Sequence, residues 1–282
     1  MANARVAVIT GSSSGFGLLT AVEMARRGYR VVATMRNLER RGLLDEAAAE
    51  AGVAERIDVR RLDVTETLAV GQVVEGIVRD YGRIDVLVNN AGFAMAGFIE
   101  DLKLEEIREQ LDTNFFGHVA MTKAVLPVMR VQRSGHILMI SSINGRAATP
   151  VVSSYSASKW ALEGWSEALR MEMLALGVKV VLIEPGAYKT DIWDRNAKIG
   201  ERVFDPASPN AERGRRYAEY VKTKVVKRDA RVVARKIADI ADDPNPRLRY
   251  LVGPDAHMMT WIKALLPWKV YEQLITKAIR VA

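Results

Sequence analysis

Short apolar runs alternate along this chain with longer segments whose apolar residues recur every three or four positions. Residues 5–9, 30–34, 57–62, 86–89, 135–140, 179–183 and 250–252 have strand length. Several are rich in Val and Ile with little alternation, the pattern of strands buried on both faces. Residues 16–27, 38–51, 66–81, 104–129, 154–176 and 231–241 carry the helical period, with an interruption expected inside 104–129. This order predicts an α/β protein: one doubly wound parallel sheet of about seven strands with helices on both faces, in a single domain over residues 1–282. Residues 191–229 break the rhythm, being long, charged and marked by Pro206 and Pro209. A long insertion before the final strand reads as a substrate-binding lid. Residues 256–282 follow as a C-terminal extension.

Composition narrows the chemistry. The chain has 282 residues, 49% of them hydrophobic, enough for a large core. It has no cysteine, which excludes disulfides, thiolate nucleophiles and cysteine metal sites. Its three histidines, His118, His136 and His257, lack metal-ligand spacing, so no metal is expected. His118 reads as a helix-packing residue and His136 as the start of a strand. The net charge of +7 raises the question of a polyanion partner, but the basic residues are scattered. The densest set, residues 213–235, is mixed with Glu, Asp and Ala at helical spacing and reads as a solvated face, so no nucleic-acid partner is expected. The chain enters Val6-Ala7-Val8-Ile9 almost at once, and no apolar stretch approaches a membrane span, so a cytoplasmic location is expected.

The first strand runs into Thr10-Gly11-Ser12-Ser13-Ser14-Gly15-Phe16-Gly17, and a helix follows. Glycines at such a turn let the backbone approach a pyrophosphate, while the helix N-terminus offers N–H groups and a positive dipole end. Gly11, Ser13, Ser14, Gly15, Phe16 and Gly17 are therefore expected to bind a dinucleotide. The second strand ends in Thr34-Met35-Arg36-Asn37, where a carboxylate would recognise a ribose 2′-hydroxyl. Arg36 pairs instead with a 2′-phosphate, which favours NADP(H) and leaves NAD(H) open. Asp63 in Leu62-Asp63-Val64 ends the third strand at the same edge, placed to accept from the adenine amine, with Val64 beside it. Asn89-Asn90-Ala91-Gly92 ends the fourth strand; the small Ala91 and Gly92 admit the cofactor, and Asn90 braces neighbouring loops. Tyr155 and Lys159 stand four residues apart on one helical face, about 6 Å along the axis. A tyrosine beside an ammonium is a candidate acid/base, because the charge favours phenolate.

Together these elements resemble the short-chain dehydrogenase/reductase family. The matching pieces are Thr10-Gly11-x-x-x-Gly15-x-Gly17, Asp63, Asn89-Asn90-Ala91-Gly92, Asn114, Ser142, Tyr155-x-x-x-Lys159 and Pro185-Gly186-x-x-x-Thr190, with Ser142 thirteen residues before Tyr155. They cover residues 4–190 closely and 246–255 loosely. The resemblance implies a Rossmann-type fold and hydride transfer between C4 of a nicotinamide and a carbonyl or carbinol carbon. It implies Tyr155 as acid/base and Lys159 as the group that lowers its pKa and holds the nicotinamide ribose. Ser142 would bond the substrate oxygen, and Asn114 would hold a water leading from Lys159 to solvent, with a helix brace as its alternative role. Pro185, Gly186, the Tyr188 backbone and Thr190 would contact the nicotinamide or phosphate; Tyr188 stands where such proteins often carry Val or Ile. Ala33-Thr34-Met35-Arg36-Asn37 and Glu184-Pro185-Gly186 look most like members acting on steroids, retinoids and other apolar alcohols or ketones. A homodimer or homotetramer through the helices holding Asn114 and Tyr155 is implied.

The tail carries Trp261, Leu265, Leu266, Trp268, Tyr271 and Leu274 and is interrupted by Pro267. Packing on the substrate pocket or on a neighbouring subunit is favoured over a membrane-surface segment. The leading expectation is an oxidoreductase moving a hydride between NADP(H) and an apolar alcohol or ketone. The alternative is a catalytically silent NADP(H)-binding sensor or scaffold, against which intact Ser142, Tyr155, Lys159 and Asn114 argue.

Overall fold

Seven runs expected as interior strands become one parallel sheet in the computed structural model, which describes residues 4–190, 192, 196–224 and 228–279. In chain order the first elements are β1 (Val6–Ile9), α1 (Gly15–Arg26), β2 (Arg30–Met35), α2 (Gly42–Glu50), β3 (Ile57–Arg61), α3 (Thr67–Tyr81), β4 (Val86–Asn89) and β5 (Ala94–Ala96). Then come α4 (Leu104–Leu111), α5 (Gly117–Gln132), β6 (Gly135–Ile140), α6 (Ser153–Met173), β7 (Val178–Pro185) and β8 (Ala197–Ile199). The chain closes with α7 (Ala211–Lys224), α8 (Arg231–Asp242), β9 (Arg249–Val252), α9 (Pro254–Leu265) and α10 (Trp268–Ile279).

The sheet order is β3-β2-β1-β4-β6-β7-β9. The chain builds outward from β1 to β3, then crosses to β4 on the other side of β1. Beyond the carboxyl ends of β1 and β4 this reversal leaves a crevice, the usual ligand position in such sheets. Alternate strand residues feed two cores. Ala7, Ile9, Val31 and Ile183 face α1 and α8, whereas Val8, Val32, Leu87 and Leu182 face α3, α5 and α6. Both faces being apolar explains why the strands read as unbroken Val/Ile runs.

The expected interruption within 104–129 is a π-helical turn, Asp112–Phe116, carrying Asn114. The run 38–51 divides into a 3₁₀ turn, Leu38–Arg41, and α2. Strands β5 and β8 were not foreseen: each is three residues long, too short for a period to declare itself. They pair in parallel, Ala94 with Ala197 and Ala96 with Ile199, and this pairing draws the segment after β7 across the crevice. Within 191–229, expected as a lid with a solvated helical face from residue 213, the structure gives the unforeseen β8 and the strongly polar α7. The tail is two helices, α9 and α10, parted at Pro267. Its inner face packs beside the site: Ala256 meets Ile143 and Ala147, and Ile275 and Ile279 meet Val151 and Phe98.

Candidate active site

The glycine turn after β1 is held from both sides. Thr10 N–H donates to Val88 O at 3.1 Å and Ser12 N–H to Thr34 O at 2.9 Å. Gly11 and Gly15 have φ of 69° and 56°, the left-handed region that side chains disfavour. A Cβ on Gly17 would stand 2.3 Å from Gly11 O, and one on Gly11 2.8 Å from Ala91 Cα. The N-cap of α1, Ser14, makes no side-chain capping bond, and the first turn holds no acid. The N–H groups and positive dipole end of α1 therefore face the crevice.

That crevice is a cleft of about 450 Å³. Gly11, Ser13, Ser14, Gly15, Phe16, Arg36, Asp63, Val64, Asn90, Ala91, Gly92 and Thr190 line it, as the sequence led one to expect. Arg40 and Asn37 join Arg36 at the rim, and Asn196 and Lys198 reach in from the segment beside β8. The sequence reading missed these; Arg36 and Arg40, four residues apart, were the available signal. Asn196 Nδ2 lies 3.4 Å from Ser14 Oγ. Arg36 Nε is 4.0 Å from Asp63 Oδ2. Asp63 Oδ1 accepts from Thr65 N (3.0 Å) and Thr65 Oγ1 (2.7 Å), so this oxygen fixes the turn into α3. Backbone donors, an open helix end, a side-chain-free cradle and a cationic rim fit an anionic dinucleotide.

Six expected cofactor residues stand back from the cleft, Tyr155 and Lys159 among them. Gly17 lies behind the turn. Pro185, Gly186 and Tyr188 belong to a turn clamped by Asp255 at the start of α9. Asp255 Oδ2 accepts from Ala187 N at 2.6 Å, and its Oδ1 pairs with Arg228 at 2.8 Å. The Tyr188 ring is buried edge-on against Phe16, centroids 5.8 Å apart. Its bulk fills the core, so the substitution for Val or Ile changes packing beneath the glycine turn rather than the cleft wall.

The acid/base group lies at the carboxyl end of β6. Helix α6 buries Tyr155 and Lys159 on one face, at 4% and 3% exposure. Lys159 Nζ donates to Ile140 O, the last residue of β6, at 2.8 Å and lies 5.7 Å from the Tyr155 ring centroid. Ser142 accepts from Asn144 N at 3.2 Å and hydrogen-bonds Tyr155. Burial pushes the Tyr155 phenol up to about 12, opposed by the Ser142 bond. Burial brings the Lys159 ammonium down to about 8, opposed by the charge of Glu163. Lys159, to which the resemblance assigns a lowering of this pKa, lies 5.7 Å from the Tyr155 ring centroid.

Asn114 is hydrogen-bonded through both ends of its amide. Its Nδ2 donates to Phe93 O at 3.0 Å and to Ser158 Oγ at 3.3 Å, and its Oδ1 accepts from Phe93 N at 3.1 Å. Ser158 in turn donates to Tyr155 O at 2.7 Å, tying the π turn to the helix that carries Tyr155. His118 is fully buried with Nε2 2.8 Å from Ala91 O; burial and then Lys159 hold it down to about 3, so it packs as a neutral ring. His136 opens β6 as expected.

Behind Lys159 lies a charged cluster that the sequence reading overlooked. Glu163, one turn on from Lys159, accepts from Arg249 Nε at 3.1 Å. Glu184, fully buried, has Arg146 and Arg249 each 3.5 Å from Oε1. Burial and the Glu163 charge hold the Glu184 carboxyl above the usual range. The spacing of Glu163 from Lys159 was the legible clue.

Gly17→Ala is expected to displace the turn, costing about 1–3 kcal/mol of stability and weakening NADPH binding roughly tenfold. Thermal unfolding and fluorescence titration check this; unchanged affinity would mean that the turn does not set the cofactor site.

Comparison with known proteins agrees with this geometry. The chain is 39% identical to the uncharacterized oxidoreductase YusZ of Bacillus subtilis, over 98% of this chain and 99% of that one. It is 41% identical to retinol dehydrogenase 8 of Bos taurus, over 74% of this chain and 66% of that protein, in line with the retinoid-type resemblance. A short-chain dehydrogenase structure from Streptomyces avermitilis superposes with a TM-score of 0.81 at 32% identity, covering 99% and 98% of the two chains. A metagenomic short-chain oxidoreductase in complex with NADP gives 0.70 at 25% identity, over 88% and 96%. With the short chain dehydrogenase family model matching residues 5–199, the chain belongs to the short-chain dehydrogenase/reductase family of oxidoreductases.

Proposed function

We propose that this protein transfers a hydride between NADP(H) and an apolar alcohol or ketone, using Ser142, Tyr155 and Lys159. The observation that carries this is the buried Tyr155 phenol, hydrogen-bonded to Ser142 and one helical turn from Lys159, at the sheet end that also bears the dinucleotide cleft. Around Tyr155 pack Ala94, Ala96, Val152 and Ile192, an apolar surround suited to an apolar carbonyl compound. A relative named retinol dehydrogenase supports an alcohol of this kind. Arg36 and Arg40 at the rim favour the 2′-phosphate of NADP(H).

Ser13, Ser14 and the N-terminus of α1 would hold the pyrophosphate, and Ala91 and Gly92 would let the backbone approach the cofactor. The bound dinucleotide supplies the hydride. Ser142 and Tyr155 bond the carbonyl oxygen and polarise it. Tyr155, held protonated at neutral pH, gives its proton to the developing alkoxide, a far stronger base than a phenolate. The Lys159 ammonium, oriented by Ile140 O, stabilises the phenolate left behind. In oxidation the same groups run in reverse. The segment carrying β8 acts as a lid over the cleft. Exposed Leu104, Phe116 and Met171 on α4, the π turn and α6 suit a dimer or tetramer interface.

Tyr155→Phe is expected to lower turnover at least a thousandfold while leaving NADPH affinity within about twofold; substantial residual ketone reduction would remove Tyr155 as the acid. Arg36→Asp is expected to shift the NADPH/NADH ratio of kcat/KM by tenfold or more toward NADH, and an unchanged ratio would place the 2′-phosphate elsewhere. Ketone reduction should fall as pH rises through about 8, where Lys159 loses its proton. Glu163→Gln removes the charge that raises this pKa, so the limb should move to lower pH; an unmoved limb would separate it from Lys159.

A further inference from the structure

The charged cluster behind Lys159 holds two buried carboxyls that compete for one cation. Glu163 on α6 and Glu184 on β7 both approach Arg249 Nε, which comes from β9. Glu163 Oε2 accepts its N–H at 3.1 Å, and Glu184 Oε1 lies 3.5 Å from the same nitrogen. One N–H cannot serve both oxygens well, and the longer separation is past the ordinary range for such a bond. Glu184 is fully buried, and neither of its oxygens meets a donor with hydrogen-bond geometry among the described residues. Glu163 is 5% exposed, and its Oε1 is orphaned in the same way. Buried carboxylate oxygens without donors are costly as anions. A proton held by two neighbouring carboxyls removes one of the two charges and gives an orphaned oxygen an O–H to donate.

The other charged groups around the pair do not relieve it. On α6, Lys159 stands one turn before Glu163 and Glu167 one turn after; Glu167 accepts from Arg249 Nη2 at 2.7 Å. Arg249 is thus divided among three acids. Arg146, from the turn after β6, comes within 3.5 Å of Glu184 Oε1. Lys263 on α9 donates to Arg146 O at 2.6 Å and lies 4.6 Å from the Trp160 ring centroid. On the β6 side the backbone closes on the pair: a Cβ on Gly145 would stand 3.0 Å from Glu163 Cγ and 2.9 Å from Ser141 Oγ, itself buried without a partner among the described residues.

We propose that Glu163 and Glu184 hold one proton between them at neutral pH, and that through it Glu184 acts as a positioning residue for Lys159. With the proton in place the pair carries one negative charge. As pH rises the proton leaves, and a second negative charge appears behind Lys159. That charge favours the ammonium, so Lys159 stays charged to higher pH than it would beside Glu163 alone. Burial and the Glu163 charge, which hold the Glu184 carboxyl above the usual range, act in the same direction. The consequence for turnover rests on the proposed oxidoreductase reading, in which the Lys159 ammonium stabilises the Tyr155 phenolate.

Two measurements on the full-length protein test the pair without turnover. Infrared spectra follow the C=O band of a protonated carboxyl, assigned to glutamate by labelling its carboxyl carbon. The wild type should show the band at mildly acidic pH and lose it as pH rises past neutrality, and Glu184→Gln should lack it. In Glu163→Gln the like charge is gone and Arg249 is freed for Glu184, so the band should fade about one pH unit lower or more. NMR titration then reads Lys159. Glu184→Gln should lower its midpoint by about half a pH unit or more. The double variant should lower it by more than the two single shifts combined, because in each single variant the remaining carboxyl still supplies a charge. A purely structural Glu184 would lower the thermal midpoint of Glu184→Gln and leave the Lys159 titration where it was. That result, a wild type without the band, a band that fades at the same pH in Glu163→Gln, or simply additive Lys159 shifts would each overturn the pair. Both titrations behaving as expected in a protein that reduces no ketone would contradict the oxidoreductase reading and leave the pair standing.

Discussion

The burial of the Lys159 ammonium against the end of β6 is the constraint around which the site is arranged. A charge removed from water needs partners. Lys159 finds the Ile140 carbonyl at 2.8 Å and the carboxylate of Glu163 one helical turn away. Its charge helps keep His118 neutral and lies beside the Tyr155 phenol, the proposed proton donor. The Ile140 bond also docks α6 on the sheet, so the helix that supplies Tyr155 is held by the same contact that orients Lys159.

The second dependence is topological. The reversal of strand order at β1 opens the crevice, and the turn after β1 fills it with backbone. Gly11 and Gly15 adopt left-handed φ there, and Gly17 has no room for a side chain. Asn114 then joins the two halves: within its π turn it braces Phe93 at the cleft and Ser158 on α6.

The sheet was legible because both its faces are apolar, which leaves unbroken strand-length runs; β4 and β6 fall at the expected residues. The grouping of Ser142, Tyr155 and Lys159 was legible because they sit at fixed short spacings on one helix and one strand end. What escaped was set by contacts distant in sequence. Strands β5 and β8 are three residues each and exist only by pairing across about a hundred residues. Asp255 holds the turn after β7, and Arg249 meets Glu163, through folding of the tail and last strand onto the site. Tyr188 could be noted as unusual, but only the fold turns its ring under the glycine turn. Arg213 and Lys269, far apart in the chain, line one cavity because α7 and α10 both border it.

A Lys159 ammonium buried against the end of β6 should hold its proton weakly enough to titrate near physiological pH. An NMR titration of the lysine side-chain signals, with Lys159 assigned from the Lys159→Arg spectrum, measures this directly. A midpoint of about 8 is expected for Lys159, below the ordinary lysine value. A midpoint at the ordinary lysine value of 10.5 would contradict it.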